Sequence, residues 1–240
     1  MAEGCGPAPA VGVVVCVWRW KQKALPRAGP LYGKPTRCPA AIVVAGRARH
    51  YAARMNRPTF ADPRTDFVFK RMFAHEANKP LLIALLNDLL ELQGERRIAA
   101  VDHLPPEQHV AIEEMKLSIV DVKCTNQSGA RFVVEMQVLN VEGFEKRVVY
   151  NAAKAYVMQL RTADAYPELC DVVGVTICNF CIWPEVDGNG QPVVPMLSHW
   201  RMREDRSGQA GLPQIQHVFL ELPKYAAGDT PRTPAELWAY

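Results

Sequence analysis

Between residues 55 and 240 the apolar positions fall into short blocks whose period changes from one block to the next. Asp62 and Pro63, followed by Phe67, Phe69 and Phe73, predict a short helix with Asp62 as its N-cap and Pro63 at its first position. Leu81, Leu82, Leu85, Leu86, Leu89 and Leu90 keep the 3,4 spacing of a core-facing helix that Gly94 can end. Residues 117–124 and 131–138 read as two strands around the turn-forming stretch 125–130, which predicts a β-hairpin. A third helix is expected over 143–160, with Phe144, Val148, Ala152, Ala155 and Gln159 near one stripe. Arg147, Tyr150, Asn151 and Lys154 lie on another. Residues 172–182 predict a buried strand, 187–190 a turn and 216–222 a final strand. This order of elements predicts one α/β domain over 55–240. The amphipathic run ending at Trp238, Ala239 and Tyr240 reads as though it should continue, so a truncated C-terminus is expected.

The hairpin is the informative part. On its second strand Phe132, Val134, Met136 and Val138 share one face, and Val133, Glu135 and Gln137 the other. A three-residue loop, Gln127-Ser128-Gly129, places glycine where a left-handed residue is needed. Asn126 then faces Ala130, Lys123 faces Val133, Asp121 faces Glu135 and Ile119 faces Gln137. Two carboxylates directly opposed on one face of a sheet repel. A divalent cation such as Mg²⁺, which accepts one or two carboxylates together with water and phosphate, would offset that repulsion. The alternative is a solvent-facing pair that water keeps harmless, and a two-residue turn would separate the acids altogether. Spacing alone leaves both readings open. Asp66 and Lys70, at i and i+4 on the first helix, are either a surface ion pair or a site in which Asp66 takes part. The stripe of Arg147, Tyr150 and Lys154 is either a solvated face or a set of phosphate contacts.

Composition and charge divide the chain in two. Residues 1–54 hold nine Lys/Arg and one acidic residue, Glu3, with six Pro and six Gly, whereas 55–240 carry 19 basic and 24 acidic side chains. The first part is expected to be an unstructured basic extension or a mis-assigned start, with Met55 as the alternative initiator. A basic arm touching nucleic-acid phosphates is its functional alternative. Its apolar runs are too short for a membrane span, which needs about 20 residues. They also lack the flanks of a secretory signal. The seven cysteines are an odd number, three of them in the extension, which argues against a disulfide framework. Cys178 and Cys181 form a CxxC, but on one strand their thiols would diverge, so reduced cysteines in a cytoplasmic protein are expected.

The strings at 62–70, 118–124, 132–137 and 144–147 together resemble the Rpn family of recombination-promoting nucleases and putative transposases, of the PD-(D/E)XK nuclease superfamily. The resemblance spans about 57–240. It implies a PD-(D/E)XK restriction-endonuclease-like α/β core, a mixed sheet flanked by helices. It further implies Asp121 and Glu135 as ligands of Mg²⁺ or another divalent cation such as Mn²⁺, and Gln137 where most of the superfamily has lysine. Asp66 resembles the acidic residue that the first helix brings to the site. A glutamine amide can orient water but can neither take a proton nor carry charge. Lys123, on the face of Asp121, is the expected source of the missing charge.

The implied activity is metal-dependent hydrolysis of DNA phosphodiesters in recombination or transposition, with DNA as partner, a homo-oligomer allowed and no membrane. The net acidic body weighs against tight nonspecific DNA binding, which Arg147, Lys146 and Lys154 would have to counter. The alternative is a nuclease-fold module without turnover that binds DNA or a protein, an idea that Gln137 keeps open.

Overall fold

The computed structural model describes residues 61–108, 117–160, 163–226 and 230–240. The basic extension at 1–54, with its proposed alternative start at Met55, lies outside the described residues. Helices α1 (Asp66–Phe73) and α2 (Lys79–Leu89) precede strands β1 (Val101–Leu104), β2 (Glu107–Gln108), β3 (Ser118–Ile119), β4 (Val122–Asn126) and β5 (Arg131–Gln137). Helix α3 (Phe144–Val157), strands β6 (Val172–Cys178), β7 (Leu197–Trp200) and β8 (Ile215–Glu221), and helix α4 (Pro234–Ala239) complete the body. Six strands form one mixed sheet in the order β1-β4-β5-β6-β8-β7, and β2 pairs with β3 apart from it. The pairs β5/β6 and β6/β8 are parallel, and the remaining pairs of the large sheet are antiparallel. A parallel neighbour requires a crossover, and α3 is the crossover between β5 and β6.

The two faces of the sheet differ in chemistry because strand residues alternate. Phe132, Val134, Val173, Val175, Ile177, Val218 and Leu220 point one way and merge with Phe69, Phe73, Leu82, Leu85, Leu86, Leu89 and Ala235 into the main core. Thus α1, α2 and α4 cover the apolar face. At roughly 1.5–3 kcal/mol for each fully buried large aliphatic or aromatic side chain, this layer supplies most of the driving force for folding. The other face carries Val133, Glu135 and Gln137 and lies under α3, where the apolar contacts split into two smaller groups around Ala152 and Phe144. Asn87, buried in α2, donates to Ile98 O at 2.9 Å and accepts from Ile98 N at 2.8 Å, which fixes the turn that leads to β1.

Several elements differ from the sequence expectation. The first helix starts at Asp66, not Pro63: Asp62 accepts from Arg64 N at 2.9 Å and from the Arg64 guanidinium, so it organises the preceding turn instead of capping the helix. Phe67 is exposed and anchors nothing, while Phe69 and Phe73 are buried as expected. The strand expected over 117–124 divides: Ile119 pairs with Glu107, not Gln137. Val120 N donates to Pro106 O at 3.2 Å, and this draws the chain off the main sheet ahead of β4. Strand β6 ends at Cys178, so Cys181 lies beyond it. Burial pushes the Cys178 thiol up to about 12, and all four described cysteines are free. Among the described residues, no helix is long and apolar enough to cross a membrane.

The hairpin register follows the sequence reading. Lys123 pairs with Val133 and Thr125 with Arg131. Gly129 has φ 84°, its N–H donates to Asn126 O at 3.0 Å, and Asn126 N donates to Ala130 O at 3.0 Å. The Asn126 side chain accepts from Ser128 N and Ala130 N, so the loop is held from inside. A Cβ at residue 129 would meet Cys170 Sγ at 2.8 Å as well as adopt the left-handed region. Gly129→Ala is therefore expected to cost about 1–2 kcal/mol in urea unfolding. Gly188→Ala, where nothing lies within 4 Å and the backbone is not left-handed, should be near neutral.

Candidate active site

Two acidic side chains meet where β4 begins and β5 runs alongside it. The β4/β5 ladder ends with Val122 paired to Val134, and Asp121, the next residue outward, lies beside Glu135, the residue after Val134. Asp121 sits in the bend between β3 and β4, and its Oδ2 accepts from Met136 N at 2.8 Å. Because hydrogen-bonded pairs alternate along an antiparallel ladder, Met136 N would have bonded to the main chain of Val120 had the strand continued. The Asp121 carboxylate replaces that carbonyl. The bond both closes the ladder and fixes the acid beside Glu135. Glu135 is 8% exposed, and its Oε1 accepts from Asn151 Nδ2 of α3 at 2.6 Å.

Burial pushes both carboxyls above the usual carboxylate range. For Asp121 the Met136 N–H and Lys70 oppose that shift, and Asp66 adds to it. For Glu135 the Asn151 amide and Arg147 oppose it, and the neighbouring Asp121 adds to it. The pair is thus electrostatically costly as it stands. Its donors are all hard oxygens, and Asn151 Oδ1, in the same amide that touches Glu135, is a buried acceptor with no hydrogen-bond partner among the described residues. Such a set suits a divalent cation of the Mg²⁺ type, which needs only one or two carboxylates and keeps its waters. Among the described residues there is no group of three or more His, Cys, Asp or Glu side chains that could form an all-protein cage.

Helix α1 supplies the open side of this arrangement. Lys70 Nζ lies 2.6 Å from Asp66 Oδ1 and 3.5 Å from Asp121 Oδ1. Asp66 is 69% exposed, Lys70 37%, Asp121 16% at their side chains, so the group descends from solvent into the sheet. The i,i+4 pair of α1 is therefore an ion pair that also reaches the acids. Lys70 holds the Asp66 carboxyl below its ordinary value, and Asp66 holds the Lys70 ammonium above its own.

The remaining expected residues are distributed unevenly. Gln137 is at the site, but both ends of its amide are engaged: Oε1 accepts from Arg147 Nη2 at 2.6 Å and Nε2 donates to Leu139 O at 2.7 Å. Arg147 is exposed, with its guanidinium also 5.3 Å from the Phe144 ring centroid. Lys123 is buried, forms no ion pair with Asp121 or Glu135, and burial pushes its pKa down, with Arg131 and Lys154 adding to the shift. Lys154 is 2% exposed, its ammonium 5.7 Å from the Tyr150 ring centroid, and burial lowers its pKa also. The stripe on α3 is thus split, with Arg147 on the outside and Asn151 and Lys154 against the sheet.

Sequence reasoning did not assign Lys70 or Asn151 to the acid pair, although the i,i+4 spacing of Asp66 and Lys70 held a signal for the first. It also missed Glu221, fully buried on the same sheet face, which accepts from the main-chain N–H groups of Ile182 and Trp183 and is paired with Lys224. Glu221 fastens a loop and has no place in the acid pair.

A family model described as PD-(D/E)XK nuclease family transposase matches residues 63–240. No curated protein and no solved structure matches.

The raised Glu135 carboxyl has a consequence for stability. A carboxyl whose folded pKa exceeds its unfolded value binds more protons in the native state, so stability falls as pH rises through that interval. Glu135→Gln keeps an acceptor for Asn151 and removes the charge. In metal-free protein at pH 7 it should raise stability, within the ~0.5–2 kcal/mol usual for stabilising substitutions. The gain should vanish below about pH 4, under the ordinary glutamate value. Thermal melts at the two pH values check this.

Proposed function

Because the chain belongs to the PD-(D/E)XK nuclease family transposases, a nuclease-type family, we propose that it is a metal-dependent endonuclease that hydrolyses DNA phosphodiester bonds during recombination or transposition. PD-(D/E)XK nucleases generally use divalent metal ions, and here Asp121 and Glu135 would hold one. The observation that carries this reading is the juxtaposition of the half-buried Asp121 and the buried Glu135 at the end of the hairpin ladder.

A bound Mg²⁺ would lower the pKa of a water molecule and neutralise charge on the phosphate oxygens. The chain's own residues have separate tasks. The Met136 N–H and the Asn151 amide hold one oxygen each of Asp121 and Glu135, leaving their other oxygens to ligate. Arg147, exposed at the rim and braced by Gln137, offers donors to the DNA backbone. Lys146, exposed in the first turn of α3, extends this basic edge. Lys154, being buried, contributes to the packing of α3, and Tyr150 lies beside it.

One observation favours a second reading, a DNA- or protein-binding module without turnover. With both ends of its amide committed, Gln137 has its main polar groups occupied and carries no charge to assist a developing phosphorane.

Plasmid nicking by the full chain distinguishes the two. Cleavage with Mg²⁺ or Mn²⁺ should stop with EDTA, and Asp121→Ala and Glu135→Ala should each lower the rate by at least about 10²-fold with an unchanged circular dichroism spectrum. A folded wild-type protein that binds DNA and leaves the plasmid intact with either metal would establish the binding module instead.

A further inference from the structure

The acid pair needs a positive partner within the chain, and the structure narrows the choice. Gln137 is uncharged. Lys123 is 6% exposed and makes no ion pair with either acid. Arg147 is held on Gln137 at the rim. Among the described residues Lys70 is the cation in ion-pair contact with Asp121, at 3.5 Å. That separation is too long for a close hydrogen bond, whereas Asp66 binds the same ammonium at 2.6 Å. An ammonium has three donors, so Lys70 can serve Asp66 and still present a proton to an anion held beside Asp121. The accessibility runs the same way: Lys70 is 37% exposed at its side chain and lies between solvent and the deeper acid.

We propose that Lys70 is the site's catalytic cation, donating from α1 to the phosphate that reacts beside Asp121, and that Asp66 is a positioning residue that aims Lys70 and does not ligate metal. The assignment rests on the nuclease reading above and specifies its machinery. Asp66 is 69% exposed, its Oδ1 lies 2.6 Å from the ammonium, and its carboxyl also stands beside that of Asp121. Its second oxygen stays outside that contact, so the Mn²⁺ affinity of Asp66→Asn separates a positioning role from ligation. The part of Lys70 is charge and a hydrogen bond to the phosphate, presented by an ammonium that Asp66 Oδ1 holds at 2.6 Å.

The test uses the full chain and a labelled DNA duplex, with wild type, Asp121→Ala, Lys70→Met, Lys70→Arg and Asp66→Asn compared for kcat and KM in Mg²⁺. Binding of Mn²⁺ alone is measured for each by calorimetry. Lys70→Met should lose about 10²-fold in kcat, the usual effect of removing one donor to developing charge. Its KM should stay within about threefold and its Mn²⁺ affinity should not weaken. Lys70→Arg should recover at least about a tenth of wild-type kcat, because it restores a charged donor. Asp66→Asn should lose about tenfold in kcat with Mn²⁺ affinity unchanged. A role in folding alone would not produce this division between kcat and metal binding. Lys70→Met within about threefold of wild type, in a wild type that cleaves, overturns the assignment and leaves the nuclease reading standing. A tenfold loss of Mn²⁺ affinity in Asp66→Asn makes Asp66 a ligand and likewise overturns it. Wild type as inert as Asp121→Ala overturns the nuclease reading and this assignment together.

Discussion

A turn of three residues decides which side of the central sheet every hairpin side chain faces. With Gly129 in the left-handed region, the ladder is pinned at Asn126 and Ala130, and a strand's strict two-residue period carries that parity outward. The apolar side chains of β5 therefore join one continuous core, and the acids are forced together on the other face. A loop one residue shorter would invert both faces at once. The acid pair and the core are thus fixed by the same local choice, and the repulsion at the site is tolerated because the whole apolar layer is committed to that register.

Asp121 then does something that a regular strand residue does not. Its side chain stands in for a main-chain carbonyl and satisfies Met136 N–H where the strand has departed. A half-buried N–H left without an acceptor carries part of the penalty of about 1–3 kcal/mol that a fully buried one would, so the bend before β4 and the carboxylate support each other. The same hydrogen bond is what holds Asp121 beside β5 although it lies outside both strands of the hairpin. Glu135 is fixed differently, by a helix that crosses above it. One acid is positioned by the backbone of its neighbour and the other by a tertiary contact.

Much of this was legible in the sequence because it is local. The hairpin register, the buried stripe of Phe144, Val148, Ala152 and Ala155, and the leucines of α2 all follow from period and turn chemistry. What was not legible depends on docking. Strands β1 and β7 are four residues each, too short for a period to show, and they exist because a neighbouring edge accepts them. A helical wheel separates Arg147 from Val148 but does not reveal that Asn151 and Lys154 face a sheet whose own surface there is polar. Ile119 was expected opposite Gln137 because alternation continues through it, yet a competing partner, Glu107, takes it off the ladder. Lys70 was visible as the partner of Asp66, whereas its reach to Asp121 required α1 to be seated on the sheet.

The chain separations within the site impose an order of assembly. Asp121 and Met136 are 15 residues apart, so the acids can come together as the hairpin closes. Arg64, which leads into α1, anchors to Asn179 at the end of β6, a separation of 115 residues, and Trp238 of α4 closes on Asp88 across 150. Local contacts close before distant ones because loop-closure entropy rises with separation. The two acids consequently meet before the helix bearing their counter-charge is tied down. A nascent domain carries its like-charge repulsion unrelieved through that interval, and the acid pair gains its counter-charge with the last long-range contacts rather than with the hairpin itself.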